Sequence, residues 1–178
     1  MNIRLKYIRR GVLFTLCTLA AAAALWWVFV PKPPLWAGVS LSTPVLDRNG
    51  DLLRLCLTSD QKYRLRTPLS RIAPELVEAT LLYEDRYFYS HPGVNPLALL
   101  RAAQSTYLGG GRRMGASTIT MQLARLRWNL ETTTISGKLR QMERALALER
   151  HYSKEEILEA YFTLAPYGGN VEGVEAAA

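Results

Sequence analysis

The sequence has few residues that could form disulfides or metal sites, with two cysteines and two histidines among its 178 residues. Cys17 lies inside a long apolar run and Cys56 is alone outside it, so no disulfide within the chain is expected. His91 and His151 are not spaced as a pair of metal ligands on one helix, which argues against a histidine-based metal site. These shortages point away from a fold held by disulfides and from a metal site built on histidines.

Charge is absent from residues 11–30, which read GVLFTLCTLAAAAALWWVFV. A helix of about 20 residues is what a hydrocarbon core of roughly 30 Å requires, so this segment predicts a transmembrane helix. Trp26 and Trp27 near its end suit the aromatic belt of a membrane interface. A cleaved signal peptide is the alternative, but the apolar region of a signal is typically about 7 to 15 residues long, which favours an uncleaved anchor.

Basic residues are distributed unevenly around this apolar segment. Lys32 follows it closely, whereas four basic residues precede it: Arg4, Lys6, Arg9 and Arg10. The cytoplasmic flank of a membrane helix has the excess of Lys and Arg. We therefore expect residues 1–10 to form a basic cytoplasmic tail, residues 11–30 to span the membrane once, and everything after residue 31 to lie outside.

Acidic residues are absent from Arg86 to Leu130. The same span contains six arginines: Arg86, Arg101, Arg112, Arg113, Arg125 and Arg127. Nucleic acid is not expected as a partner of an external domain. Clustered arginines beside a membrane anchor instead favour phosphate groups at the membrane surface as partners.

Two carboxylates, Glu84 and Asp85, immediately precede this cationic span. Helical steps place Glu84 on the face of Val77, Leu81 and Phe88, which should be buried. Desolvation raises the pKa of a carboxyl toward the range in which it accepts a proton near neutral pH, as a general base must. Asp85 lies roughly 100° round the helix and is expected to meet water or an arginine. A solvated helix end is the alternative interpretation of this pair.

The remaining pattern predicts a short hairpin followed by helices. Asn49-Gly50 between two apolar runs predicts a β-hairpin within a linker segment at 31–70. Helices are predicted from Pro74, from about Asn95-Pro96 to Gly109–Gly111, from Gly115-Ala116-Ser117-Thr118 to about Asn129, over about 135–151, and from Ile157 to about Leu164 after a capping box at Ser153–Glu156. Gly168-Gly169 is expected to close the last of these, and Val171 to begin another apolar run. The fold class is therefore mainly α, with a helical domain at 71–178.

The start of the helix after Gly115 has the chemistry of a phosphate site. Free backbone N–H groups, the hydroxyls of Ser117 and Thr118 and the arginines at 112, 113 and 125 occur together there. Such a helix start can bind a phosphate group. An ordinary Ser or Thr N-cap with solvated arginines is the alternative interpretation.

Five motifs follow one another along the chain. They are Glu84-Asp85-x-x-Phe88-x-x-His91-x-Gly93, Gly115-Ala-Ser-Thr-Ile-Thr-Met-Gln122, Lys138 with its following helix, Lys154-x-x-Ile157-Leu158-x-x-Tyr161, and Gly173-x-x-x-Ala177. In this order, over about residues 40–178, they resemble the motifs of the peptidoglycan glycosyltransferases, glycosyltransferase family 51. The run Ala-Pro-Tyr-Gly-Gly-Asn at 165–170 is most similar to the 1C branch of the class A penicillin-binding proteins.

The resemblance implies a lysozyme-like helical fold that polymerises lipid II into β-1,4 glycan strands and releases undecaprenyl diphosphate outside the bacterial inner membrane. It implies that Glu84 is the catalytic base, which takes the proton from the GlcNAc 4-hydroxyl of the acceptor. The substrate-binding residues that it implies are Asp85, His91, Ser117, Thr118, Gln122, Arg125, Lys138 and Gln141. Implied partners are lipid II, the growing glycan strand, the membrane, and cell-wall synthesis or division proteins.

The sequence departs from the family pattern at several positions. Gln141 stands at the position of the family's second carboxylate, and Glu143 lies roughly 200° further round the helix, so it is no substitute. A glutamine can orient a hydroxyl or a phosphate, but it cannot hold a divalent cation as a carboxylate does. We therefore expect no required cofactor, although the resemblance leaves open a Mg²⁺ or Mn²⁺ ion at the diphosphate. Three other positions also differ from the family pattern. Gly137 replaces a usual basic residue, Met121 a usual Gln and Thr163 a usual Asn.

Two further expectations concern the extent of the chain and its activity. Family domains continue past the last motif, and class A penicillin-binding proteins add a transpeptidase domain, so Ala178 is expected to be a truncation. A non-catalytic, membrane-anchored module of the same fold that binds lipid II or division proteins is the second hypothesis. A lytic enzyme of lysozyme-like fold is the third, and it would share the lone glutamate without needing the arginine-rich site.

Overall fold

The computed structural model describes residues 2–107 and 117–178 of the chain. It has two compact units, Met1–Lys32 and Pro33–Ala178. The first unit is a single helix, α1 (Asn2–Phe29). Within it, Tyr7–Phe29 is long and apolar enough to cross a membrane, as judged by length and composition. The apolar helix predicted at 11–30 is therefore present.

The second unit begins with the predicted hairpin. Strands β1 (Pro44–Leu46) and β2 (Leu52–Leu55) pair antiparallel. In the turn between them, the Asp47 carboxylate accepts the backbone N–H groups of Asn49 at 2.7 Å and Asp51 at 2.9 Å. Gly50 has φ +90°, a backbone conformation that glycine adopts without a steric penalty. The Asn49-Gly50 signal therefore predicted this turn correctly.

Helices make up most of the remaining chain, which confirms the mainly α prediction. They are α2 (Pro74–Glu84), α3 (Pro96–Tyr107), α4 (Ile119–Trp128), α5 (Ile135–His151), α6 (Lys154–Leu164) and a short α7 (Val174–Ala177), with 3-10 turns at Leu69–Arg71 and Phe88–Ser90. The predicted boundaries at Gly109–Gly111, Gly115 and Ala116 lie outside the described residues.

Local capping chemistry sets the ends of these helices. Thr134 is the N-cap of α5 and accepts the N–H of Gly137 at 3.1 Å. Ser153 and Glu156 form the predicted capping box, so α6 begins at Lys154 rather than at Ile157. Asn129 ends α4 in a left-handed conformation with φ 47°, which asparagine tolerates better than most residues.

A second sheet, which the sequence did not predict, joins the beginning and the end of this unit. Strand β3 (Tyr63–Arg64) pairs in parallel with β5 (Val171–Glu172), and β4 (Pro166–Gly168) pairs antiparallel with β5 on the other side. Arg64, only 6% exposed, binds Glu172 at 2.6 Å and Asp60 at 2.9 Å. Helix α6 ends at Leu164, as predicted, but Gly168 and Gly169 do not close it directly, because Gly168 ends β4 and Gly169 lies in the turn before β5.

The main hydrophobic core lies between α4, α5 and α6. Its fully buried side chains include Ile119, Leu123, Leu148, Ile157, Leu158 and Phe162. Phe88, 1% exposed, joins this core just after α2, and Val77 and Leu81 of α2 pack against it. This packing holds the C-terminal end of α2 beside the start of α4, where the candidate site lies.

Candidate active site

Glu84 is the last residue of α2 and is half-buried. Its Oε2 accepts a hydrogen bond from Nε2 of Gln122 in α4 at 2.7 Å. The apolar residues that precede it on the same face, Val77 and Leu81, pack onto the core. The structure thus holds one carboxylate at the end of a partly buried helical stripe, on the face that the periodicity predicts.

Two clefts meet at Tyr83 and Glu84. One has a volume of about 330 Å³, and its walls include Arg86, Arg101 and Ser117. The other has a volume of about 340 Å³, and its lining includes Tyr161 and Tyr167. A carboxylate at this junction can contact a ligand in either cleft.

Asp85 differs from the sequence prediction because it faces the interior of the protein. It is 7% exposed, and its oxygens lie 3.0 and 3.1 Å from Nε2 of His91. Its Oδ2 also accepts the backbone N–H of Ile119 at 3.0 Å. The expectation of water or an arginine is wrong because α2 ends at Glu84, so the helical spacing no longer applies to Asp85.

His91 connects Asp85 to the loop that follows α2. Its Nδ1 accepts the N–H of Gly93 at 3.2 Å, which assigns the proton to Nε2 and makes that nitrogen the donor to Asp85. Gly93 has φ +87°, and a Cβ there would lie 2.9 Å from the carbonyl oxygen of Ala145. Thr118, the N-cap of α4, donates to the Gly93 carbonyl at 2.5 Å. These contacts lock the loop to the start of α4.

Lys138 of α5 contacts the start of α4. Lys138 Nζ donates to Oγ of Ser117 at 2.7 Å and to Oε1 of Gln141 at 2.8 Å. Gln141 in turn donates from Nε2 to the carbonyl of Met121 at 2.6 Å. Burial, followed by the nearby charge of Arg125, holds the pKa of Lys138 below its ordinary value. Lys138 therefore places a positive charge next to Ser117, which lines the first cleft, and Arg125 lies near Lys138.

Among the residues that the structure describes, the predicted site residues lie together in the region between α2, α4 and α5, and the predicted Arg112 and Arg113 lie outside the described residues. Glu84 pairs with Gln122, Asp85 pairs with His91 beside Thr118, and Ser117, Lys138 and Gln141 form one chain of hydrogen bonds. Arg125 is exposed and lies close enough to affect the pKa of Lys138.

Sequence reasoning did not identify the contacts of a second half-buried cation in this region, Lys154. Lys154 Nζ donates to Oε1 of Glu149 and to the backbone carbonyl of His91, both at 2.8 Å. It also lies 4.2 Å from the centroid of the Phe88 ring. Thr120 donates to the same Glu149 oxygen at 2.6 Å. The sequence motif that begins at Lys154 included this residue, but it did not indicate these contacts, because the partners come from separate elements.

Tyr161 was also missed as a neighbour of the glutamate. Burial, and then the charge of Glu84, raise the pKa of Tyr161 to about 12. Its hydroxyl is therefore protonated across the physiological range. The motif Lys154-x-x-Ile157-Leu158-x-x-Tyr161 contained the signal that could have identified it.

The donor set around Lys138 does not fit a divalent metal ion. Among the residues that the structure describes, no group of three or more His, Cys, Asp or Glu side chains is arranged to hold one. The Gln141 oxygen, which stands at the expected carboxylate position, is already bound to an ammonium group. Divalent cations such as Mg²⁺ instead prefer carboxylate and other free oxygen ligands.

Comparison with known proteins agrees with this architecture. A family model described as transglycosylase matches residues 49–178. The chain belongs to the transglycosylase family, and the predicted lysozyme-like helical class is confirmed.

The similar proteins include penicillin-binding protein 1C of Escherichia coli strain K12, which is 38% identical over 168 residues, 90% of this chain and 22% of that protein. Penicillin-binding protein 1A of the same strain is 32% identical over 94% of this chain and 20% of its own length. Penicillin-binding protein 4 of Bacillus subtilis strain 168 is 36% identical over 74% of this chain and 21% of its own length. The predicted resemblance to class A penicillin-binding proteins is confirmed, and the chain spans about a fifth of the length of these relatives.

Proposed function

We propose that the chain is a peptidoglycan glycosyltransferase that polymerises lipid II into β-1,4 glycan strands and releases undecaprenyl diphosphate. The observation that supports this most directly is the position of Glu84. It is a half-buried carboxylate at the junction of two clefts, one of which also contains Ser117, the partner of Lys138. A base and an anion site thus share one cleft.

In the proposed reaction, Glu84 is the general base. The hydrogen bond from Gln122 to one carboxylate oxygen orients the group, and the other oxygen accepts the proton of the acceptor GlcNAc 4-hydroxyl. That hydroxyl oxygen forms a bond to C1 of the terminal MurNAc of the growing strand as the bond from C1 to the diphosphate breaks. The attack inverts C1 and produces the β-1,4 linkage.

The leaving diphosphate takes the electron pair and requires charge stabilisation rather than a proton donor. Lys138, Arg125 and the Ser117 hydroxyl would supply this stabilisation, because charge-assisted hydrogen bonds to phosphate oxygens are strong. Asp85, His91 and Thr118 already bind protein groups. We assign them the role of positioning the start of α4 beneath the substrate.

The proposed setting is the bacterial inner membrane. The apolar helix α1 would cross it once with the N-terminus in the cytoplasm, and the unit Pro33–Ala178 would lie outside with its lipid-linked substrate. The uneven distribution of basic residues around the apolar run supports this orientation. Cell-wall synthesis or division proteins are proposed partners.

Polymerisation of labelled lipid II by the detergent-solubilised chain tests this function. Glu84→Gln keeps the size of the side chain and removes the base, so we expect a loss of glycan synthesis of about 10²- to 10⁴-fold. Glu78→Gln, an exposed change on the same helix, is the matched control and should leave the rate unchanged. Gel separation of the strands measures both.

Other outcomes would favour the competing functions. A folded parent that binds lipid II but forms no strands would identify a non-catalytic module, for which Gln141 is the structural argument. Degradation of finished peptidoglycan, lost in Glu84→Gln, would identify a lytic enzyme. Equal activity of the parent and Glu84→Gln would refute the role of Glu84 as base.

A further inference from the structure

We propose that Gln141 is a positioning residue that directs Lys138 toward Ser117, so that the diphosphate is bound by protein cations without a divalent metal ion. This inference rests on the proposed function, because it specifies how the same site would hold its leaving group. It also replaces the earlier expectation that Gln141 contacts the substrate.

Gln141 is too deeply buried to contact a substrate, with an exposed fraction of 2%. Its amide is fixed at both ends, since Nε2 donates to the Met121 carbonyl at 2.6 Å and Oε1 accepts from Lys138 at 2.8 Å. A flipped amide would set oxygen against the carbonyl and NH₂ against the ammonium group, so only one orientation is favourable. The amide oxygen therefore always faces Lys138.

Lys138 is held between this amide and the start of α4. Its Nζ also donates to Oγ of Ser117 at 2.7 Å, and Ser117 immediately precedes the N-cap of a helix whose N-terminal end has a partial positive charge. Both of these described partners of Nζ are neutral. The ammonium charge thus remains uncompensated and available to an anion.

A carboxylate at position 141 would change this arrangement in two ways. It would neutralise Lys138 at hydrogen-bond distance, and it would set a negatively charged oxygen against the Met121 carbonyl. The site would then need an additional cation to bind a diphosphate, and the new carboxylate would be a suitable ligand for Mg²⁺. Glutamine avoids both effects while it preserves the position of Lys138.

The first experiment measures lipid II polymerisation by the solubilised chain in EDTA and in Mg²⁺. We expect the parent to work at the same rate in both, within about twofold. Gln141→Glu should lose about tenfold or more in EDTA, since it weakens a charge-assisted phosphate contact, and should recover in Mg²⁺. Glu143→Gln, an exposed change on the same helix, is the control and should match the parent.

The second experiment measures binding of inorganic pyrophosphate in EDTA by calorimetry and does not depend on turnover. Gln141→Met has nearly the same volume but no polar atoms, so we expect affinity to fall about tenfold. If the parent binds pyrophosphate but makes no glycan, the proposed function fails, while the positioning of Lys138 by Gln141 for binding a diphosphate is still supported. If folded Gln141→Met binds as tightly as the parent, the positioning role is refuted.

The pH dependence of pyrophosphate binding gives a readout that a purely structural role would not change. Lys138 has a pKa below its ordinary 10.5, so affinity in the parent should fall as pH rises through that lowered value. A carboxylate in Gln141→Glu favours the ammonium form of Lys138, so the fall in affinity at alkaline pH should move to higher pH. This test does not require Gln141→Met to fold. Tyr161 does not cause this fall, since its pKa is about 12. An unmoved alkaline limb, or a parent that requires Mg²⁺, would overturn the proposal.

Discussion

Asp85 is a carboxylate that binds two buried donors from different parts of the chain. It accepts from the His91 ring in the loop after α2 and from the Ile119 backbone at the start of α4. Since it is adjacent to Glu84, its contacts also determine where the end of α2 lies. We infer that Asp85 supports the proposed base by fixing the backbone on which that base sits.

Replacing Asp85 by Ala tests this support. The change leaves the His91 donor and the Ile119 N–H without their acceptor in the interior, so we expect a loss of about 3 kcal/mol in the free energy of unfolding. Urea unfolding of the solubilised chain measures the loss. Asp51→Ala in the exposed hairpin turn should cost no more than about 0.5 kcal/mol. A comparable loss in both variants would contradict the role assigned to Asp85.

At the scale of single elements, the N-cap of α4 connects two parts of the site. Thr118 accepts the N–H of Met121 at 3.1 Å and donates to the Gly93 carbonyl at 2.5 Å. This one hydroxyl therefore caps the N-terminus of α4 and also binds the loop that follows α2. The adjacent Ser117 depends on the same backbone for its approach to Lys138.

Thr118→Val removes this hydroxyl and retains the shape of the side chain. We expect a loss of about 1 to 2 kcal/mol, because an N-cap and a buried hydrogen bond disappear together. Thr118→Ser should retain most of the stability, since its hydroxyl can make both contacts. Thermal unfolding followed by circular dichroism distinguishes the two variants, and equal melting temperatures would show that the cap contributes little.

The sequence was sufficient for features that depend on local spacing. Helix α5 has the predicted bounds of about 135–151, because the apolar period that predicts it is a local signal. The half-buried position of Glu84 was also predictable, since it continues the stripe of Val77 and Leu81. These features need no knowledge of distant parts of the chain.

Features that depend on distant contacts were not predictable. Asp85 faces the interior because Ile119 and His91 provide hydrogen-bond donors there. The apolar periodicity of the sequence does not indicate these donors. Strands β3 and β5 have two residues each, which is too short for an alternating pattern. The contact between Lys154 and Glu149 depends on how α5 and α6 pack.

At the scale of the whole molecule, the proposed topology places α1 across the membrane. Asn49 lies exposed in the hairpin turn, so Asn49→Cys in a background of Cys17→Ser and Cys56→Ser should react with a membrane-impermeant maleimide in intact spheroplasts. Asn2→Cys in the same background should react only after lysis. Labelling detected by mass shift measures both, and the reverse result would invert the proposed orientation.

The parallel pairing of β3 with β5 also has a consequence for biosynthesis. The ion pair that fastens these strands joins residues 108 positions apart, Arg64 and Glu172. Ribosomes add about 5 to 20 residues each second, so Glu172 is synthesised on the order of 5 to 20 s after Arg64. The nascent domain therefore cannot close during most of its synthesis, and we expect it to require protection by chaperones until Glu172 has emerged.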